Sequence, residues 1–316
     1  MPLHRPFPGR VAALGLLTLT ALAGCDALFV KPVPVPPPRP AGLRPAPSAA
    51  SEAARVHYAK VQSDLLEQGL LRTDGGGPDT PFNTRDLTEN FIRIALYDEY
   101  APDGSGLVPK QTPSRLRRWN KPVRMSLTFG PTIPDEERAK DRKTVAAYAA
   151  RLGRVSGHPV SLVSSGRTNF DIFVLNEDAR RAFGPQLRKL VPGIGNNVVR
   201  TITTMPRSTY CLVFAFSEGN ASTYSRAVAV IRGEHPDLLR LSCYHEELSQ
   251  GLGLANDSPA ARPSIFNDDE EFALLTTQDE LMLKMLYDPR LKPGMKPAEA
   301  RPIVRVIARE LMGGQS

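Results

Sequence analysis

Histidine is scarce in this chain and badly spaced for metal. The five are His4, His57, His158, His235 and His245. No two stand four residues apart, so the i, i+4 imidazole pair that zinc hydrolases use is missing. Cysteine is almost as rare, with three in 316 residues, which excludes a disulfide-dense scaffold. No apolar run reaches the length of a comfortable membrane span; the longest, Val11–Ala23, is too short. A lone tryptophan and the lack of a basic stripe interleaved with aromatics argue against nucleic acid as a partner. Phosphate chemistry has no footing either: "PGIGNN", Pro192–Asn197, lacks both the Lys-Ser/Thr ending and the dinucleotide spacing. No G-x-S-x-G elbow is present, so a serine hydrolase ranks last. There is no internal repeat.

Proline, by contrast, is abundant and concentrated. Arg5 and Arg10 precede the Val11–Ala23 run, and "LAGC" follows at Leu22–Cys25. A charged start, a short apolar stretch and small residues before a cut site make a secretory signal. Because that cut site ends in cysteine, it resembles a bacterial lipobox, which implies that Cys25 becomes a lipidated N-terminus. The "KPVPVPPPRPAGLRPAPSAA" segment, Lys31–Ala50, then reads as an extended, semi-rigid tether that lifts a domain off the membrane. The net charge of +7 falls to +5 once Arg5 and Arg10 leave with the leader, a mild excess that suits an anionic envelope surface.

The remaining cysteines, Cys211 and Cys243, are an even pair in an oxidising compartment, which reads as a disulfide; a buried thiol pair or metal ligands are the alternatives. About 265 residues follow the tether, enough for one sizeable core. Ser51–Leu71 and a stretch capped at Asn83 or Thr84 read as amphipathic helices. "RLRRW", Arg115–Trp119, reads as a solvated loop. "PVRMSLTFG", "SLVSSG", "FDIFVL", "YCLVFAFS" and "SRAVAVIR" read as strands, with a helix over Asp135–Leu152 and a loop-rich stretch around Pro192–Asn197. Further helices are expected at Leu238–Leu252, in "TTQDELMLKMLYDP" and over Arg301–Met312. The order implies an α/β or α+β arrangement, helices packed on one mixed sheet.

One stretch carries a chemical pattern. A zinc hydrolase needs two ligands one helical turn apart, a carboxylate beside the first to activate water, a glycine to end the helix and a third ligand beyond it, spaced H-E-x-x-H-x-x-G-x-x-H. "CYHEELSQGLGLAND", Cys243–Asp257, fits that frame without insertion. Glu246 and Gln250 fall on the first two ligands, Glu247 on the catalytic carboxylate, Gly253 on the glycine and Asn256 on the third ligand, with Asp257 next. His245 lies one residue before the frame, about 100° around the helix from it. Its i+4 neighbour is Ser249, so it reads as a packing or surface histidine.

With its frame, the chain resembles the metzincin metalloproteases. "PSIFND", Pro263–Asp268, resembles their Met-turn with Phe266 in the methionine's place, and "LTTQDELMLKMLY" resembles their closing helix. More closely, "HEELSQGLGLAND" through "YDPRLKPGM" resembles a family of Gram-negative lipoprotein-like chains, the domain of unknown function 2927, which carries no established activity. The implied plan is a leader over 1–24, a lipidated cysteine and tether over 25–50, a helical extension over 51–118, a metzincin-like domain over 119–295 and a terminal helix over 296–316.

All three imidazoles of the frame are replaced. Amide oxygens of Gln250 and Asn256 are poor zinc ligands, and Glu246 with Asp257 would suit a harder ion such as calcium or manganese, held weakly. The expectation is therefore a lipid-anchored, catalytically silent pseudoprotease in the periplasm, with no cofactor. It would bind an envelope protein, a peptide or a cell-wall ligand. The alternative is a hydrolase with a divalent metal on Glu246, Gln250, Asn256 or Asp257 and Glu247 as general base.

Overall fold

The computed structural model of the chain describes residues 45–103 and 106–313. The leader, Cys25 and most of the tether lie outside the described residues. Among those described, no helix is long and apolar enough to cross a membrane.

Helix α1, Ala49–Glu67, starts where Ser48 accepts a hydrogen bond from the Ser51 N–H, and buries Ser51, Ala54 and Tyr58 along one stripe. Helix α2, Thr84–Ala95, has a reciprocal cap: Asn83 Oδ1 accepts from the Asp86 N–H at 3.1 Å, and Asp86 Oδ2 accepts from the Asn83 N–H at 3.0 Å. An antiparallel hairpin of β1, Tyr97–Asp103, and β2, Gly106–Pro113, follows where the sequence reading placed only helices. Its strands are rich in Pro, Asp and Gly, which conceals their pairing from periodicity.

The central sheet is built from β3, Val123–Phe129, then β4, Val160–Leu162, after helix α3, Asp135–Ser156, and β5, Phe170–Leu175. Three short helices come next: α4, Glu177–Arg181, α5, Gly184–Leu190, and α6, Asn196–Thr203. Strands β6, Cys211–Ser217, and β7, Tyr224–Arg232, complete it. The order is β4-β3-β5-β7-β6, parallel except for the β6–β7 pair. The expected mixed sheet with packed helices is what forms.

All six residues of β5 are buried, so both faces of the sheet centre must be covered. Phe170, Ile172 and Val174 join one apolar cluster with Ala227, Ala229 and Ile231. Phe173, Leu175, Val228 and Val230 face the other way, onto Phe183, Leu187 and Ile202 of the short-helix layer. That layer replaces the loop-rich stretch expected around Pro192–Asn197; Val199 and Ile202 bury their side chains although the helices are too short to show a clear period. Asp171, buried in β5, accepts from Ser126 Oγ and Thr168 Oγ at 2.7 Å each and pairs with Arg226 of β7, so the one charged residue of the strand is satisfied.

On the larger cluster's face lie α7, Asp237–Gln250, α8, Thr277–Leu286, and α9, Pro297–Leu311. Helix α9 starts four residues before the expected Arg301 and accommodates Pro302 within its first turns. Helices α2 and α9 contribute Leu87, Phe91, Val304 and Ile307 to the same core as α7 and α8. "RLRRW" is not a solvated loop: Leu116 and Trp119 are buried, and Arg118 donates to the carbonyls of Leu286, Asp288 and Leu291. Its charges satisfy the carbonyls beyond α8, a partner that sequence does not reveal.

The end of α7 comes unusually close to this segment. Gly253 sits at φ +127°, and a Cβ there would lie 2.4 Å from the Arg117 carbonyl oxygen and 3.0 Å from Leu286. Gly253→Ala should therefore lower unfolding free energy by roughly 2–4 kcal/mol, combining backbone strain with a backbone clash. Urea denaturation of the purified protein checks this; an unchanged midpoint would show that the segment moves aside freely.

Candidate functional site

Helix α7 presents a mixed face because its apolar residues and its acids point different ways. Leu239, Cys243 and Leu248 face the core, and Glu246 is only partly buried. The Cys211–Cys243 disulfide ties the first residue of β6 to α7, with the Cα atoms 5.9 Å apart. This is the pairing expected from cysteine count, and it removes the alternatives of a thiol pair and of thiolate ligands. The 32-residue separation gives a constraint worth roughly 4 kcal/mol in the chain-entropy account.

Between β6 and α7 lies a cavity of about 440 Å³. Its wall on one side is β6, from Cys211 to Ala215. Its other walls are Glu246, Glu247 and Gln250 of α7, Asp257 and Asp268 and Glu270 from the chain beyond it, and the Asp98–Arg117 ion pair. Three of the frame residues, with Asp257 just beyond the frame, thus share one cavity. Gln250 Nε2 donates to Asp257 Oδ1 at 3.0 Å. Side-chain atoms of Glu246 and Glu247 lie within 4.8 Å of each other and of Cys211 Sγ. Asn256 points elsewhere: it is 1 % exposed, its Nδ2 donates to the Arg93 carbonyl at 2.8 Å and its N–H to the Ile94 carbonyl at 3.1 Å. The residue after the helix-ending glycine turn therefore fastens the chain to the C-terminus of α2.

His245 is a packing histidine. Its Nδ1 accepts from the Leu275 N–H at 3.0 Å, and its ring stacks on Tyr148 with centroids 4.0 Å apart. With Nδ1 accepting, the proton of the neutral ring sits on Nε2. Burial, with a smaller contribution from Arg151, pulls its pKa down to about 3. His235 is likewise held neutral, its pKa well below normal through burial and the neighbouring Arg232 and Arg240.

The turn after the helix is locked by a second carboxylate. Phe266 is fully buried, and its carbonyl accepts from the Ser258 N–H at 2.7 Å. Asp279, in the first turn of α8, accepts from Ser264 Oγ at 2.6 Å, from the Ile265 N–H at 3.0 Å and from the Thr276 N–H at 2.9 Å. One side chain thus caps α8 and pins the turn to it. Complete burial pushes its pKa up to about 6, against the pull of those hydrogen bonds.

A family model described as a protein of unknown function (DUF2927) matches residues 84–306. The chain belongs to this family. No curated protein and no solved structure matches it. The DUF2927 span opens on the first residue of α2 and ends within α9, so every wall of the cavity falls inside it.

Sequence reasoning missed four wall residues of this DUF2927 cavity: Asp98, Arg117, Asp268 and Glu270. The available signal was the acidic run "NDDEE", Asn267–Glu271, directly after the turn. Asp268 and Glu270 adopt positive φ, 65° and 59°. Burial and the neighbouring carboxylates raise the pKa of both. Glu271 behaves oppositely: hydrogen bonds from Arg262 and Arg72 hold it below the usual carboxylate range.

His245 and Asp279 give opposed pH dependences. A histidine whose folded pKa lies below its unfolded value of about 6.5 stabilises fully above that value, and loses this as pH falls toward 3. An aspartate whose folded pKa of about 6 exceeds its unfolded value stabilises below about pH 4, and loses this as pH rises to 6. Between pH 4 and 6 the two nearly cancel. Asp279→Asn should therefore melt at or above wild type at pH 8. It should then lose about 1.4 kcal/mol relative to wild type for each pH unit from 6 down to 4. Denaturant titrations at several pH values measure this, and parallel curves would rule out a proton on Asp279 in that range.

Proposed function

We propose that this chain is an envelope protein, anchored in a membrane through lipidated Cys25, whose metzincin-like domain binds a partner in the cavity between β6 and α7 without cutting it. The observation that carries this reading is the donor set at the frame positions. Glu246 and Gln250 stand where imidazoles would be, the Gln250 amide already donates to Asp257, and Asn256 is turned to the Arg93 carbonyl. Cys211 adds no thiolate, because its sulfur is in the disulfide. Such a set does not fit zinc, which is held by imidazole, thiolate and a few carboxylates. Without a Lewis acid, Glu247 has no acidified water to deprotonate.

A strand edge suited to presenting an extended chain stands beside this helix face. Strand β6 pairs with β7 on one side and, among the described residues, with no strand on the other. Its residues Leu212–Ala215 border the cavity. An open strand edge beside a cavity of this size supports capture of an extended peptide by strand addition, with main-chain hydrogen bonds supplying affinity.

A second reading has one observation in its favour, the proximity of the Glu246 and Glu247 carboxylates. In that reading a divalent cation on those oxygens serves a hydrolase with Glu247 as base. Elemental mass spectrometry on the full chain, purified without chelator, separates the two. The binding reading expects substoichiometric metal and no peptide cleavage. One metal per chain, lost in Glu246→Ala, together with peptide cleavage lost in Glu247→Gln, would establish the hydrolase instead. The binding mode has its own check. Peptides selected for affinity should lose it, by at least roughly tenfold, when alternate backbone nitrogens are methylated, because each methyl removes a ladder donor. Undiminished affinity would rule out strand addition.

A further inference from the structure

Among the described residues, the non-glycines with positive φ are Leu71 at 56°, Asp268 at 65° and Glu270 at 59°. All three meet at one junction. The Leu71 N–H donates to the Glu270 carbonyl and the Arg72 N–H to the Glu271 carbonyl, both at 2.8 Å. The Ala273 N–H returns a bond to the Arg72 carbonyl at 2.9 Å. Left-handed backbone is costly for residues that carry a Cβ, and it persists only where surrounding contacts impose it. Here the imposing contact is the segment that leaves α1. What it holds is the chain that brings Asp268 and Glu270 into the cavity wall.

The Leu71 side chain anchors that segment. It is 2 % exposed and shares a small apolar cluster with Ala54 and Tyr58 of α1, with Leu239 and with Ala273. This cluster is separate from the main core. Arg72 adds a second grip, its guanidinium 4.7 Å over the Phe272 ring and 3.2 Å from Glu271.

Helix α1 is itself lightly held. It precedes the residues 84–306 that the family model matches, and it fully buries Ser51, Ala54 and Tyr58 alone. Near its contacts, Glu234 Oε2 and His235 Nε2 are buried with no hydrogen-bond partner among the described residues. Water that reaches them on release offsets part of the contact energy lost, so this helix belongs to the low-stability end of the fold. Its Tyr58 ring stands edge-on to His235 and to Tyr210, a residue of the cavity wall, with centroids 4.6 and 6.0 Å apart.

We propose that α1 is a latch on the cavity. Docked, it holds the Asp268–Phe272 wall in a strained conformation through Leu71 and Arg72; released, it lets that wall relax and the cavity open. The proposal goes beyond the binding reading, because it concerns the wall whatever occupies the cavity.

Hydrogen exchange of the full chain in detergent, followed by mass spectrometry, tests it. Residues 51–65, 70–73 and 268–274 should exchange as one unit, at least about 100-fold faster than β5 and β7. Tyr58→Ala should speed all three segments at least about tenfold and leave β5 and β7 unchanged. Should that variant lose protection throughout, Ser51→Ala takes its place; it removes only the bond to Glu234 Oε1. Glu270→Gly should act oppositely and slow exchange in α1 severalfold, because glycine accepts positive φ without strain. Protection of α1 equal to that of β5 would overturn the latch. Faster exchange in α1 with residues 268–274 unmoved would overturn its coupling to the cavity. Unchanged or faster exchange of α1 in Glu270→Gly would overturn the strained hold.

Discussion

The closeness of the last turn of α7 to the sheet is the constraint on which the rest of the site depends. At Gly251 a Cβ would fall 2.4 Å from the Phe170 ring, and at Gly253 one would fall 2.4 Å from the Arg117 carbonyl oxygen. Both glycines let the helix end press onto β5 and the strand-leading segment with no side chain between. Trp119 seals the junction, stacking near Phe170 and donating its indole N–H to the Gly251 carbonyl at 2.8 Å. With that end fixed and Cys243 bonded to Cys211, the acidic face of α7 stands over β6. A helix free to slide by a turn would carry Glu246, Glu247 and Gln250 about 5.4 Å away from the strand edge.

A second junction holds the other side of the cavity. The chain from Gly253 to Thr276 has no regular structure, yet it supplies Asp257, Asp268 and Glu270. It keeps its shape because its polar groups are hydrogen-bonded to fixed elements. Asn256 is fastened to α2, Ser264 and Ile265 to Asp279 of α8, and Glu271 to Arg72 and Arg262. Breaking a buried polar anchor costs more than making it contributes, because the orphaned partner stays desolvated. Such loops are therefore specified by a few residues rather than by a repeating pattern.

Away from the cavity, buried charge welds the short-helix layer to the sheet and to α1. Arg232 is 1 % exposed; it donates to the carbonyls of Met205, Pro206 and Thr209 and pairs with Glu177. Glu234 Oε1 accepts from Ser51 Oγ of α1 and from the Glu177 N–H, both at 2.6 Å. A network of this kind adds little net stability over an apolar equivalent, but removing one member leaves an uncompensated buried charge.

Local signals in the sequence were enough for much of the fold. The Asn83–Asp86 and Thr276–Asp279 caps mark helix starts through side chains that act within three residues. Strands β5 and β7 announce themselves as apolar, β-branched runs, and cysteine parity pointed to the Cys211–Cys243 bond. His245 was readable as a packing residue because one step along a helix rotates it off the frame's face. Four wall residues of the site were legible as a spacing on one helix and its exit. What escaped depends on partners distant in the chain: the β1–β2 hairpin, the carbonyls that bury Arg118, the α2 carbonyl that takes Asn256, and the convergence of Asp98, Arg117, Asp268 and Glu270. By itself, the sequence determined the elements and the loss of imidazoles. The acidic cavity exists only because tertiary packing sets a loop 20 residues past the helix against a strand edge, and no local period encodes that meeting.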